Sequence, residues 1–225
     1  MLTGEFREQF EEFHTAGTAA KDADNHTLAL EMFKPAIALA QEHDDPAKSL
    51  DAMQPAARAL WSLGRYDEAS EQLETAAGIA RNLELTDEQG VIISNMGRIA
   101  AVKTIRTIPP AAQKETLRTA AVPKFSEAYD TLKDNPHLYY RYANAQHGSV
   151  VAALAGERWL ATKLIAEGLR VAFQVSAEPY DQQRTYNISN GTRRGRYQML
   201  AAVALIPFGS HTPFLAKVAR SKLVR

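Results

Sequence analysis

The sequence predicts an all-α chain assembled from repeated helical hairpins, and three observations carry that expectation. Apolar residues recur at helical spacing along most of the chain and are interrupted at intervals by turn residues. A motif of alanine, a large apolar residue four positions on and a small residue three further occurs as Ala29/Phe33/Ala36, Ala69/Leu73/Ala76, Ala121/Phe125/Ala128 and Ala161/Ile165/Gly168. A second register, of small residues on the helix preceding each motif, runs through Gly17, Ala57, Gly97 and Ser149.

The two registers locate an irregularity. The motif alanines are spaced 40, 52 and 40 residues apart, whereas the small residues of the preceding helices are spaced 40, 40 and 52. Twelve extra residues therefore enter between Gly97 and Ala121, near Thr104 to Leu117, a stretch that includes Pro109-Pro110. Such an insertion is expected to extend one corner of its hairpin without entering the core.

Taken in order, the first hairpin is expected over about residues 3–43, starting at Thr3 and interrupted at Asp22 to Asn25. The second, about 46–83, starts at Asp45-Pro46, a capping residue before a proline at the first helical position, and reverses at Gly64. The third, about 87–133, follows a capping box of Thr86 and Gln89, and the fourth, about 136–173, follows Asn135-Pro136 and reverses at Gly156. Pro35, Pro55 and Pro123 fall inside expected helices, where a missing N–H kinks a helix or marks a local start. Beyond Phe173 the repeat fades, and residues 176–225 read as a helical capping segment whose Met199, Leu200, Val203 and Leu205 are apolar cover for the last hairpin.

Composition narrows the function classes. The chain has no cysteine, which removes disulfides, thiol nucleophiles and cysteine zinc sites. Its longest apolar run, Met199 to Phe208, is about half of the roughly 20 residues a membrane-spanning helix needs. The acidic, amphipathic start MLTGEFREQFEEF lacks the pattern of a secretion signal, so a cytoplasmic protein is expected. The net charge of zero hides a gradient: residues 1–90 carry 7 Lys/Arg against 18 Asp/Glu, residues 91–181 carry 11 against 8, and residues 182–225 carry 8 against none. An acidic beginning and a basic end favour salt-sensitive self-association.

No catalytic signature of the HExxH, GxSxG, Walker or dinucleotide-binding type is present, and neither an enzyme nor a cofactor is expected. Glu11-x-x-His14 has the spacing of a carboxylate-bridged metal site but lacks its second copy, so it reads as a solvated helix face and no metal is assigned. Tyr139, Tyr140 and Tyr142 cluster beside Arg141 and read equally as ligand-facing residues or as a packed contact between repeats.

Within the second hairpin, Gly64-x-Tyr66-x-x-Ala69 followed by Leu73 and Ala76 resembles the tetratricopeptide repeat (TPR) family. The 40-residue period is longer than the 34 of the standard repeat and calls for longer helices. The resemblance covers about residues 3–175 and implies a right-handed superhelix of four helical hairpins, whose concave face binds a protein or peptide. Carried onto this sequence, the groove set is Gln54, Arg58 and Trp61, then Asn95 and Arg98, then Asn144 and His147. Arginines suit an acidic or C-terminal carboxylate ligand, asparagines suit its backbone, and tryptophan offers flat apolar area. Asp51, two turns before Arg58, is the residue placed to neutralise it. The alternative is a nucleic-acid-associated protein using the basic end, with Arg193, Arg194 and Arg196 as phosphate-binding residues.

Overall fold

A computed structural model of the chain describes residues 4–177, together with positions 203 and 220. Every regular element among them is helical: α1 (Gly4–Asp22), α2 (His26–Glu42), α3 (Pro46–Ser62), α4 (Tyr66–Asn82), α5 (Thr86–Thr107), α6 (Pro110–Thr116), a π-helical turn (Leu117–Ala121), α7 (Val122–Leu132), α8 (Leu138–Ala155) and α9 (Arg158–Ala177). Contacts divide the chain into two compact units, Met1–Ile92 and Ile93–Arg225.

In the first unit, one backbone device repeats at every helix junction. Asp24, Asp44, Gly64 and Glu84 take left-handed φ values of 57°, 49°, 78° and 56°. The next residue then returns its N–H to a carbonyl five positions back: Asn25 to Ala20 at 2.9 Å, Asp45 to Ala40 at 2.8 Å, Arg65 to Leu60 at 2.9 Å and Leu85 to Ala80 at 2.9 Å. These are Schellman closures, which satisfy carbonyls left open at a helix C-terminus. The residue that closes one helix also precedes the next, so Asn25 Oδ1 accepts the Leu28 N–H at 3.2 Å and Asp45 Oδ1 accepts the Lys48 N–H at 2.9 Å. The same geometry puts Leu85 at the junction and Thr86 inside the first turn of α5, so Thr86 is not the capping residue its sequence context indicated. The backbone of this unit thus repeats every 20 residues, half the period of the side-chain motif.

Consecutive helices pack in pairs: α1 on α2, α2 on α3 and α3 on α4, with α1 also touching α3. Every residue of the alanine, large, small motif is buried in all four copies. Close crossing is visible at Gly17, where an added Cβ would lie 2.8 Å from the Phe33 ring, itself 0% exposed. Pro35 and Pro55 lie inside α2 and α3, which both continue through them.

The second unit keeps the register at Gly97, and in α8 the visible close approach falls on Gly148, beside the expected Ser149, which is 0% exposed. A Cβ on Gly97 of α5 would lie 3.1 Å from the Phe125 ring of α7, and one on Gly148 of α8 would lie 2.8 Å from Leu164 of α9 and 3.0 Å from Phe125. Between Gly97 and Phe125 the extra residues lengthen both helices of the hairpin. They do not stay outside the core. Leu117 is 1% exposed and packs with Phe125, Val150, Val151 and Leu154, and Thr104 and Gln113 are buried at 3% each. Gln113 Nε2 donates to the carbonyls of Ile105 at 3.2 Å and Ile108 at 2.7 Å, fastening α6 to the end of α5. The insertion is a core element, because a helix prolonged beneath α8 can bury its apolar side where a loop cannot.

The π-helical turn follows from this burial. Gln113, Leu117, Ala121 and Phe125 are all buried and are spaced four apart. Three steps of four overrun a 3.6-residue turn by about 1.2 residues, so an unbroken α-helix would rotate the last of them away from the core. A π-turn inserts one residue and restores the phase. It sits where Pro123 has no N–H to give, and the Val122 N–H reaches the Leu117 carbonyl instead.

Candidate functional site

Helix α3 carries the best-defined cluster of expected ligand residues. It starts on the Asp45 cap with Pro46 in its first turn, and Ser49, Leu50, Ala52, Met53, Ala56, Ala57, Ala59 and Leu60 are buried. Because α1, α2 and α4 all pack on it, only a narrow stripe is left toward solvent. That stripe holds Asp51 and Arg58, both exposed, with Gln54 and Trp61 half-buried, at the three- and four-residue spacing of one helical face.

Asp51 does not neutralise Arg58. The Asp51 residue as a whole is exposed, but its carboxyl is partly withdrawn from water, and this desolvation raises its pKa above the ordinary aspartate value. Its charged neighbours are Lys48, His14, Asp45 and Glu11. Arg58 makes no ion pair with any described residue. A guanidinium held in water on a rigid helix, beside a half-buried indole, is positioned to fork onto a carboxylate.

The neighbouring α1 face is tied up internally. Lys48 Nζ donates to Glu11 Oε1 at 2.7 Å and lies 4.9 Å from the centroid of the Phe10 ring. This bond holds the Glu11 carboxyl below the usual glutamate range. His14 stacks on Phe10 at 5.6 Å and meets the edge of Phe33 at 5.9 Å. Glu11 and His14 are therefore packing and pairing residues rather than a freely solvated face. Among the described residues no group of three or more His, Asp and Glu is arranged to hold a metal ion.

A cleft of about 450 Å³ opens between α2 and α4 above α3. Its apolar floor of Leu30, Met53 and Leu60 is already 4–5% exposed, so little more is gained by covering it. It is a weaker seat than the α3 stripe.

In the second unit, Asn95 and Arg98 are half-buried on α5, and His147 is half-buried on α8 with its Nδ1 donating to the Ala143 carbonyl at 2.8 Å. Asn144 departs from its expected role. It is 1% exposed, and its Nδ2 donates to the Phe125 carbonyl at 3.3 Å. Asn144 links α8 to α7 inside the core and is out of reach of a peptide backbone. The tyrosines divide: Tyr142 is buried against Val171, whereas Tyr139 and Tyr140 are exposed with their rings 6.0 Å apart.

The most buried charges were missed by sequence reasoning. Arg141 donates to Glu167 Oε1 from Nε at 2.9 Å and from Nη2 at 2.7 Å, both side chains being 8% exposed. Its Nη1 reaches the Asn135 carbonyl at 3.2 Å, and Arg170 adds a bond to each Glu167 oxygen at 3.0 Å. The signal was present: Arg141 is in phase with Ala145 and Gly148, and Glu167 with Leu164 and Val171, so two facing apolar stripes each carry one charge of opposite sign.

Arg193, Arg194 and Arg196, expected as phosphate-binding residues, and Met199, Leu200 and Leu205, expected as apolar cover, lie outside the described residues. Val203, named with that cover, is 46% exposed. Among the described residues no helix is long and apolar enough to cross a membrane. No protein-family model matches this chain, and no curated protein sequence matches it.

Proposed function

We propose that this chain is a non-catalytic protein-binding module of the TPR-like kind, its hairpins continuing as a right-handed superhelix and its first-helix faces receiving an extended peptide. The observation that carries the proposal is Arg58: exposed, without an ion pair among the described residues, and set on one helical face with Gln54 and Trp61. The buried small-on-large register at each hairpin supports the repeat reading, because such a unit buries its apolar face only by stacking on its neighbours.

The ligand class is a peptide ending in acidic residues and a free carboxylate. Arg58 takes the carboxylate, Gln54 the backbone and Trp61 an apolar side chain. The test is a titration of the full chain with a labelled acidic peptide bearing a free C-terminus, beside the same peptide amidated. Arg58→Ala is expected to weaken the free-acid peptide at least tenfold, about 1.4 kcal/mol, with the melting temperature unchanged because Arg58 is exposed. Equal binding of the two peptides, or unchanged affinity in Arg58→Ala, removes the proposal.

A further inference from the structure

Helix α9 presents an outward face of unusual composition. Trp159 is 80% exposed and Leu169 46% exposed, and between them Thr162 and Ala166 are exposed as well. At about 100° per residue these four positions span about 80° of the helix, on the side opposite the buried Ala161, Leu164, Gly168 and Val171. The edges of this strip are cationic. Arg158 bounds one side, and Lys163 and Arg170 bound the other.

The acid on this helix is turned away from the strip. Glu167 is 7% exposed and is saturated by Arg141 and Arg170, so these three residues together leave one positive charge. Lys163 lies 3.9 Å over the Tyr129 ring and 3.7 Å from Asp130. Arg158 has no ion pair among the described residues. An indole left this open on a rigid helix, on one face with Ala166 and Leu169, marks an interaction surface.

We propose that the outward face of α9 is a docking site for an amphipathic helix with acidic flanks on another protein, distinct from the α3 stripe. Shape selects a helix. Thr162 and Ala166, one turn apart, form a shallow centre between Trp159 and Leu169, into which the ridge of a partner helix can settle. Charge selects the acidic flanks, since Arg158 on one edge has no ion pair among the described residues and the Arg141, Glu167 and Arg170 group leaves one uncompensated positive charge toward the other. Charge also disfavours a second copy of the same face. A second copy would bring Arg158 and the net positive Arg141, Glu167 and Arg170 group again, with no acid on this face to pair them.

The probe is a labelled synthetic helix with a leucine and alanine face and glutamate flanks, titrated into the full chain and followed by anisotropy. Its lysine-flanked counterpart and phosphatidylglycerol vesicles serve as the competing partners. The expected result is saturable binding of the glutamate-flanked helix, weakened at least tenfold by Trp159→Ala and by Arg158→Glu. Arg58→Ala should leave it unchanged, which separates this face from the α3 stripe. Both substituted residues are exposed, so thermal melts of the variants should match the parent chain. The proposal is overturned if the glutamate-flanked helix does not bind or if the lysine-flanked helix binds as well. It is equally overturned if only the vesicles take up the chain, or if Trp159→Ala binds like the parent.

Discussion

The two units solve the same packing problem by different means. In the first, every helix is closed by the same left-handed turn at residues 24, 44, 64 and 84, and the core is almost wholly alanine, leucine, methionine and phenylalanine. The second uses that closure again at Gly156, where Glu157 returns its N–H to the Ala152 carbonyl at 2.8 Å, but adds a π-turn that corrects the phase of one long helix and a buried ion pair that joins α8 to α9. Counting back from the equivalence of Ser149 with Ala57, the slot of Arg141 is held in α3 by Ser49, whose hydroxyl donates to Met53 Sδ at 3.6 Å. Regularity is therefore sufficient for hairpin packing, and the departures in the second unit are local solutions to added residues and added charge.

The strongest way to break this comparison is to remove one member of the buried pair. Glu167→Ala leaves Arg141 buried without its carboxylate and should cost about 3–5 kcal/mol in urea unfolding, with no counterpart loss available in the first unit. A cost below about 1 kcal/mol would mean that Arg141 escapes to water and that the pair is not a structural member.

Next in size is Leu117→Ala. If the inserted residues are core, as their burial shows, the loss is about 2–5 kcal/mol, similar to Leu73→Ala in the regular unit. A loss within about 0.5 kcal/mol would return the insertion to the surface.

The repeated turn can be sharpened by exchange at its left-handed residue. Gly64→Ala should destabilise by about 1 kcal/mol, whereas Glu84→Gly should stabilise by up to about 1 kcal/mol, because only glycine takes positive φ without a Cβ conflict. Equal and opposite shifts in midpoint would show that the junctions are energetically alike despite their different residues.

The smallest expected effect is electrostatic. The folded pKa of Asp51 lies above its unfolded value, so its ionisation opposes folding as pH rises through the folded pKa, and the cost persists at neutral pH. Asp51→Asn should raise the melting temperature slightly at pH 7, by less than about 0.5 kcal/mol in stability, and make no difference below the ordinary aspartate range. Glu11 has the opposite sign, since its lowered pKa gives stability above its unfolded value that is lost as pH falls through the folded one.

Much of this architecture was legible before any coordinates. The helical class and the pairing of consecutive helices follow from periodicity, and the motif positions are buried because side chains three and four apart share one helical face. The 20-residue backbone period was also written in the chain, in the turn residues that recur from Asp24 to Glu84, but their side chains share no single chemistry that would expose it. Binding residues were less legible. Arg58 and Asn144 both lie in first helices and are both polar, yet one is exposed and the other is 1% exposed.

Sequence by itself determined the helical class, most of the turns and the close crossings of Gly17 on Phe33 and of Gly97 on Phe125, because these depend on local backbone preference and on the spacing of apolar positions. Tertiary structure alone decided that the insertion enters the core, that Asn144 turns inward to the Phe125 carbonyl and that Trp159 is left in water. Burial of a given side chain depends on which neighbours arrive on its face of the helix. Such neighbours are supplied by distant segments, and no local pattern records their arrival.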